Sequence, residues 1–123
     1  MRAAASTVVV GLLAPVLLGA CGGGGPSQPA GSIKVTMTEF KFDPSSIDAK
    51  AGNVVFFLVN GGTVSHDMAI RDSTGKTIAQ SELVSAGDEF VFTVDNVAAG
   101  TYDFLCTQSG HADAGMKGTL TVS

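Results

Sequence analysis

A cysteine, a histidine and a methionine lie at even intervals near the C-terminus and could bind one metal ion together. Cys106, His111 and Met116 form a Cys-x4-His-x4-Met pattern within residues 103–118. A thiolate, an imidazole and a thioether that one loop brings together are soft donors, which suit copper better than magnesium, calcium or manganese. The spacing therefore predicts a copper centre in this loop.

The only other histidine of the chain, His66, could complete this centre. Two imidazoles and a thiolate in a plane, with a weak axial methionine, are the donor set of a blue-copper electron-transfer site. Each residue has a simpler explanation when taken alone. A buried cysteine on a strand is most often a small core residue, and a histidine in a glycine-rich loop is usually solvated. The occurrence of all four together favours the metal centre.

Short strands must position these side chains. Ile33, Val35 and Met37 alternate with polar residues, which predicts a half-buried strand. We expect Phe40 and Phe42 to continue this strand until Pro44 breaks it. The apolar run from Val54 to Val59 has strand length and predicts a central strand buried on both faces, which Gly61 and Gly62 end.

The remaining segments also predict short strands. His66 to Ile70 and Lys76 to Ala79 are interpreted as short strands, although residues 77–85 could hold a turn or two of helix. Further strands are expected around Phe92, from Thr101 to Cys106 and from Lys117 to Ser123. Seven to eight strands separated by turns predict an all-β fold, a β-sandwich.

The chain resembles a known family, the small blue copper proteins or cupredoxins of the plastocyanin and azurin kind. The resemblance extends from Ile33 to Ser123 and is most specific between Tyr102 and Val122. In that family a strand ending in an aromatic-x-Cys motif is followed by Gly-His and then by Gly-Met-x-Gly, as here. The resemblance implies a Greek-key sandwich, one type 1 copper ligated by His66, Cys106, His111 and Met116, and electron transport through Cu(I) and Cu(II).

Asp67 departs from the family, in which Asn follows the first histidine ligand. The resemblance implies that this side chain ties the histidine loop to the cysteine loop and forms hydrogen bonds near the sulfur, with Thr107 as a candidate partner. Outer hydrogen bonds of this kind tune a metal site. A carboxylate beside the thiolate should lower the reduction potential unless it is protonated.

The N-terminal residues have the pattern of a secretory signal. Arg2 precedes a mostly apolar run that ends in Leu18-Gly-Ala-Cys21, and small residues before a cysteine resemble a bacterial lipoprotein signal. We expect residues 1–20 to be the signal peptide, residues 21–32 a lipidated cysteine and flexible tether, and residues 33–123 the cupredoxin domain. An uncleaved transmembrane helix is the alternative. Both interpretations place the domain outside the cytoplasm, in the periplasm or at the cell surface, attached to a membrane.

Charge and cysteine content limit the partners. Without Arg2, six Lys and Arg stand against eleven Asp and Glu, a formal charge of about −5. This balance argues against nucleic acid, which calls for a basic patch. Lipidation of Cys21 would leave Cys106 as a lone thiol with no internal disulfide, and metal ligation would protect it. We expect a monomer whose partners are redox proteins such as c-type cytochromes or membrane oxidoreductases.

Three functions can be compared at this stage. The first is a membrane-tethered carrier of one electron. The alternative is an extracytoplasmic copper-binding protein for copper storage or delivery, although the methionines are scattered rather than clustered. An enzyme is disfavoured, because a second copper centre would need more histidines and a Cys-His hydrolase would need an activating base and a substrate cleft.

Overall fold

The computed structural model describes residues 25–123 and confirms the β-sandwich. Nine strands form two sheets, with no helix among these residues. The strands are β1 Ile33–Thr38, β2 Lys41–Asp43, β3 Ser46–Ala49, β4 Gly52–Asn60, β5 Ala69–Arg71, β6 Thr77–Gln80, β7 Glu89–Val97, β8 Gly100–Leu105 and β9 Lys117–Val122. The predicted signal peptide and the predicted lipidation site Cys21 lie outside the described residues. Within residues 25–123, no segment forms a helix long and apolar enough to cross a membrane.

The two sheets have the orders β2-β1-β4-β7 and β3-β9-β8-β5-β6. As predicted, β4 is a central strand, pairing in parallel with β1 and in antiparallel with β7. Buried side chains from both sheets meet in one core, in which the ring of Phe104 packs edge-on against Phe42 at 5.1 Å between centroids. Burial of such apolar side chains is the main force that holds the two layers together.

The path of the chain after β1 differs from the prediction. Phe40 and Phe42 do not continue the first strand, because residues 39 and 40 form a turn and β2 folds back antiparallel to β1, with Phe42 opposite Met37. Phe42 is buried in this hairpin, whereas Phe40 is 43% exposed. One continuous strand would place Phe40 and Phe42 on the face opposite Met37, because their numbers are even, and the turn between the two strands brings Phe42 to the core face instead.

The segment around His66 also differs from the prediction. The strand begins at Ala69 rather than His66, which forms only an isolated bridge to Val84. The short strand predicted at Lys76 to Ala79 is confirmed as β6, which pairs with β5, and no helical turn forms within residues 77–85. This pairing makes β6 the edge strand of its sheet.

Candidate metal centre

The loop between β8 and β9 brings three of the predicted ligands together. These strands are antiparallel neighbours, and the backbone N–H of Cys106 donates to the carbonyl of Met116 at 3.1 Å. Within the loop, the N–H of Met116 donates to the carbonyl of His111 at 3.0 Å. Gly110 and Gly115 have φ angles of 79° and 114°, which favour glycine. The Gly-His and Gly-Met pairs are thus explained by the turns that this loop makes.

His66 reaches the same place from the segment between β4 and β5. Its backbone exchanges two hydrogen bonds with Val84, at 3.1 and 2.8 Å. The side chain of Asn60 at the end of β4 supports this segment, because its amide donates to the carbonyls of Val64 and Val84, both at 2.8 Å. Asn60 and His66 are both buried. The backbone position of His66 is therefore fixed by these contacts.

The ligand atoms are close enough to share one ion. Nδ1 of His66 lies 3.2 Å from Nδ1 of His111, and Sγ of Cys106 lies 3.5 Å from the latter and 4.0 Å from the former. Bonds of about 2.0 Å to nitrogen and 2.3 Å to sulfur in tetrahedral or trigonal geometry would separate ligand atoms by about 3.3–3.8 Å. Met116 is fully buried beside them. The four side chains form a type 1 copper-like site, and their donor types fit copper.

Burial raises the pKa of the Cys106 thiol, whose side chain is only 1% exposed. The backbone N–H groups of Asp67 and Gln108 oppose this effect, while the charge of Asp67 adds to it. A thiol in this environment retains its proton until a metal displaces it, so metal binding should release a proton.

The predicted link between the two ligand loops is confirmed. Oδ1 of Asp67 accepts a hydrogen bond from the N–H of Thr107 at 2.7 Å, and Oδ2 accepts one from the Thr107 hydroxyl. Gln80, which the sequence did not single out, donates to Oδ2 of Asp67 at 3.1 Å. The Asp67 carboxylate thus joins the residue after His66 to the residue after Cys106.

We expect Asp67→Asn to raise the reduction potential of the copper-loaded protein. Asn keeps an oxygen for the Thr107 N–H but removes a negative charge that stabilises Cu(II) more than Cu(I). Coulomb energies at an effective dielectric constant of about 20 correspond to a rise of roughly 50–150 mV. Voltammetry measures this directly. Asp95→Asn, an equal change of charge at an exposed position on β7, is the matched control. A potential that falls or stays the same in Asp67→Asn would exclude the electrostatic role.

Two further residues next to the ligands were not predicted. Oε1 of Glu39 lies 3.0 Å from Nε2 of His66 and also accepts hydrogen bonds from the N–H groups of Thr63 and Val64, at 2.8 and 3.1 Å. These two backbone donors are the main reason that the pKa of Glu39 falls to about 2. Phe40 packs edge-on against His111 with 5.0 Å between ring centroids.

No local signal could have identified Glu39 or Phe40. Met37 is the parallel partner of Asn60, and the N–H of Gly61 donates to the carbonyl of Met37 at 2.9 Å. This pairing between distant segments sets the turn at residues 39–40 beside the loop that precedes His66. Only the fold makes these residues neighbours.

Comparison with known proteins shows the family of this chain. Residues 29–123 match the family described as copper binding proteins, plastocyanin/azurin family. Plastocyanin from Dryopteris crassirhizoma is 40% identical over 94 residues, which cover 68% of this chain and 88% of the relative.

Two other comparisons extend this result. The copper-resistant cuproprotein CopI of Rubrivivax gelatinosus is 26% identical over 74% of this chain, which spans just under two thirds of that relative, 66% of its length. A solved structure of auracyanin B is similar with a TM-score of 0.68 and 26% identity, covering 80% of this chain and 92% of that one.

Proposed function

The chain belongs to the plastocyanin/azurin family of copper-binding proteins, and we propose that it is a one-electron carrier with His66, Cys106, His111 and Met116 as the ligands of a single copper. The observation that carries the proposal is a buried thiol within 4.0 Å of the Nδ1 atoms of both histidines of the chain. Bound copper would supply the chemistry, alternating between Cu(I) and Cu(II) as one electron enters or leaves.

The role of the protein is to hold its side chains still. Cys106 supplies a thiolate, the two imidazoles supply neutral nitrogen donors, and Met116 supplies a weak thioether. The backbone bridge to Val84 fixes the His66 segment, and the Asp67–Thr107 hydrogen bond connects this segment to the cysteine loop. A site whose ligands are held in this way changes little when the charge of the metal changes, which keeps the reorganisation energy low.

The proposed exit for the electron is the partly exposed ring of His111. Small residues surround it in the loop, namely Ala112, Ala114 and Gly115, and Phe40 adds an exposed apolar ring. A flat apolar surface of this kind suits a short-lived encounter with a redox partner, which needs only a small interface. We propose redox proteins such as c-type cytochromes or membrane oxidoreductases as partners, and a monomeric carrier.

An extracytoplasmic position on a membrane is part of the proposal. It is supported by the signal pattern of residues 1–20, by Cys21 at the expected cleavage site and by the glycine-rich composition that follows. Mass spectrometry of the N-terminal peptide from membranes tests it. A diacylglycerol-modified Cys21 is expected, and an intact residue 1 joined to the domain would support the uncleaved helix instead.

A role in copper storage or delivery is the second candidate, and the similarity to a copper-resistant cuproprotein supports it. The two functions differ in how readily the metal leaves. Rapid transfer of Cu(I) to an apo-oxidase would favour delivery, whereas copper that is retained during repeated oxidation and reduction would favour the carrier. Catalysis is not proposed, because a second copper centre would need more than the two histidines of the chain.

The decisive experiment is spectroscopy and voltammetry of the copper-loaded full-length protein. The oxidised form should be intensely coloured through charge transfer from the Cys106 thiolate, and should show a reversible one-electron wave. A zinc-loaded sample, which has the same ligands but no redox chemistry, is the control. A colourless oxidised protein would refute the proposal.

A further inference from the structure

We infer that Glu39 is a positioning residue, which holds the His66 ring with its proton on Nε2 and its Nδ1 lone pair directed towards Cys106 and His111. This inference deepens the proposed function and rests on His66 being a copper ligand. A neutral imidazole binds a metal through the nitrogen that carries no proton. The partner of the other nitrogen therefore decides whether the ring is ready to bind.

The contacts of the carboxylate determine the tautomer. Oε1 of Glu39 lies 3.0 Å from Nε2 of His66. An ionised carboxylate can only accept hydrogen bonds, so Nε2 must be the protonated nitrogen. Nδ1 then carries no proton, and its lone pair can bind a metal. It lies 3.2 Å from Nδ1 of His111 and 4.0 Å from Sγ of Cys106.

The backbone also holds the carboxylate in place. The same Oε1 accepts from the N–H groups of Thr63 and Val64, at 2.8 and 3.1 Å, so three donors converge on one oxygen. The Glu39 side chain is 27% exposed and His66 is fully buried. The partly exposed carboxylate of Glu39 therefore places a negative charge next to a ring that has no contact with solvent.

Gly62 leaves the space that the carboxylate occupies. A Cβ at this position would overlap Oε1 of Glu39 and lie 2.9 Å from its Cδ. The N–H of Gly62 donates a hydrogen bond to Oδ1 of Asn60 at 2.9 Å, which fixes the backbone at this position. A side chain at residue 62 would push Glu39 away from Thr63, Val64 and His66 without changing any of these groups chemically.

The carboxylate should also affect the strength of the ligand. A carboxylate that accepts from the second nitrogen of a metal-bound histidine fixes the ring orientation and raises its basicity, and loss of such a partner typically lowers metal affinity 10–100-fold. The Glu39→Gln variant would keep an oxygen that can accept the same hydrogen bonds, but its side chain would carry no charge. Glu39→Gln and Glu39→Ala thus separate the effect of charge from that of the hydrogen bond.

The first test uses the full-length apoprotein and long-range ¹⁵N–¹H NMR of His66. The wild-type protein should show the proton on Nε2, and Glu39→Gln should retain it. Glu39→Ala and Gly62→Ala should show a mixture of tautomers. Glu82→Ala removes an exposed glutamate outside these contacts and serves as the control. An unchanged tautomer in both Glu39→Ala and Gly62→Ala would overturn the inference.

The second test measures copper affinity by competition with a chelator. We expect affinity to fall 10–100-fold in Glu39→Ala and less in Glu39→Gln, with Glu82→Ala unchanged. Affinities within twofold of wild type in both Glu39 variants would overturn the inference even if the protein is blue. If oxidised wild-type protein is colourless while the His66 tautomer still depends on Glu39, the proposed electron carrier fails and the positioning role stands.

Discussion

Replacing Cys106 with serine is expected to abolish both the intense colour and the reversible redox wave of the copper-loaded protein. The colour requires a thiolate bonded to Cu(II), and a serine hydroxyl does not ionise at neutral pH. The remaining donors, two imidazoles and a thioether, would hold copper less tightly and without the short sulfur bond. Absorption spectra and voltammograms of wild type and variant, loaded with equal amounts of copper, provide the measurement.

Cys21→Ser is the matched control for this experiment, since it removes the other cysteine of the chain and should leave the spectrum unchanged. Loss of colour in Cys106→Ser must also be separated from loss of structure. The hydroxyl would replace a sulfur that is 1% exposed, at a cost of about 1–3 kcal/mol if it finds no partner. Unfolding of the apoproteins measures this cost. A Cys106→Ser variant that stays intensely coloured would refute the ligand assignment.

Gly118→Ala is expected to lower the free energy of unfolding by about 3 kcal/mol or more. Gly118 stands opposite Phe104 in the antiparallel pairing of β8 and β9. A Cβ there would lie 2.5 Å from Cε2 of the fully buried Phe104 ring and would also overlap the carbonyl oxygen of Ser45. The backbone of Ser45 cannot move freely, because its carbonyl accepts from the N–H of Thr119 at 2.9 Å.

Denaturant unfolding of the full-length apoprotein measures this effect. Gly61→Ala is the control, because a Cβ at residue 61 would meet its nearest neighbour, Cγ2 of Thr36, at an ordinary 3.4 Å. We expect the control to stay within about 0.5 kcal/mol of wild type. If Gly118→Ala is equally mild, the close packing of Phe104 on β9 is not required. A destabilised variant should also bind copper less well, because β9 begins next to Met116.

Much of the fold could be predicted because its signals are local. The alternation in β1, β7 and β9 reports which face each residue presents to the core, and burial of Val35, Phe92 and Leu120 agrees with it. The ligand loop is similarly compact: Cys106, His111 and Met116 lie within one turn between neighbouring strands. Their residue types were sufficient to predict a copper site.

The parts that were wrong or missed depend on pairing between distant segments. The hairpin of β1 and β2 depends on the pairing of Phe42 with Met37, and the late start of β5 depends on its register against β6 and β8. The hydrogen bond from Gln80 to Asp67 likewise could not be predicted from the sequence, because it requires β6 to pair with β5.

The sequence alone therefore determined the donor atoms, the sandwich class and the loop that carries three of the ligands. Only the tertiary structure placed the second carboxylate, that of Glu39, next to a ligand. Glu39 contacts His66 because β1 runs parallel to β4 and turns at the end of that pairing. Side-chain type and short spacing are properties of a segment, whereas the neighbours of a buried ring depend on how the strands of the whole domain pair.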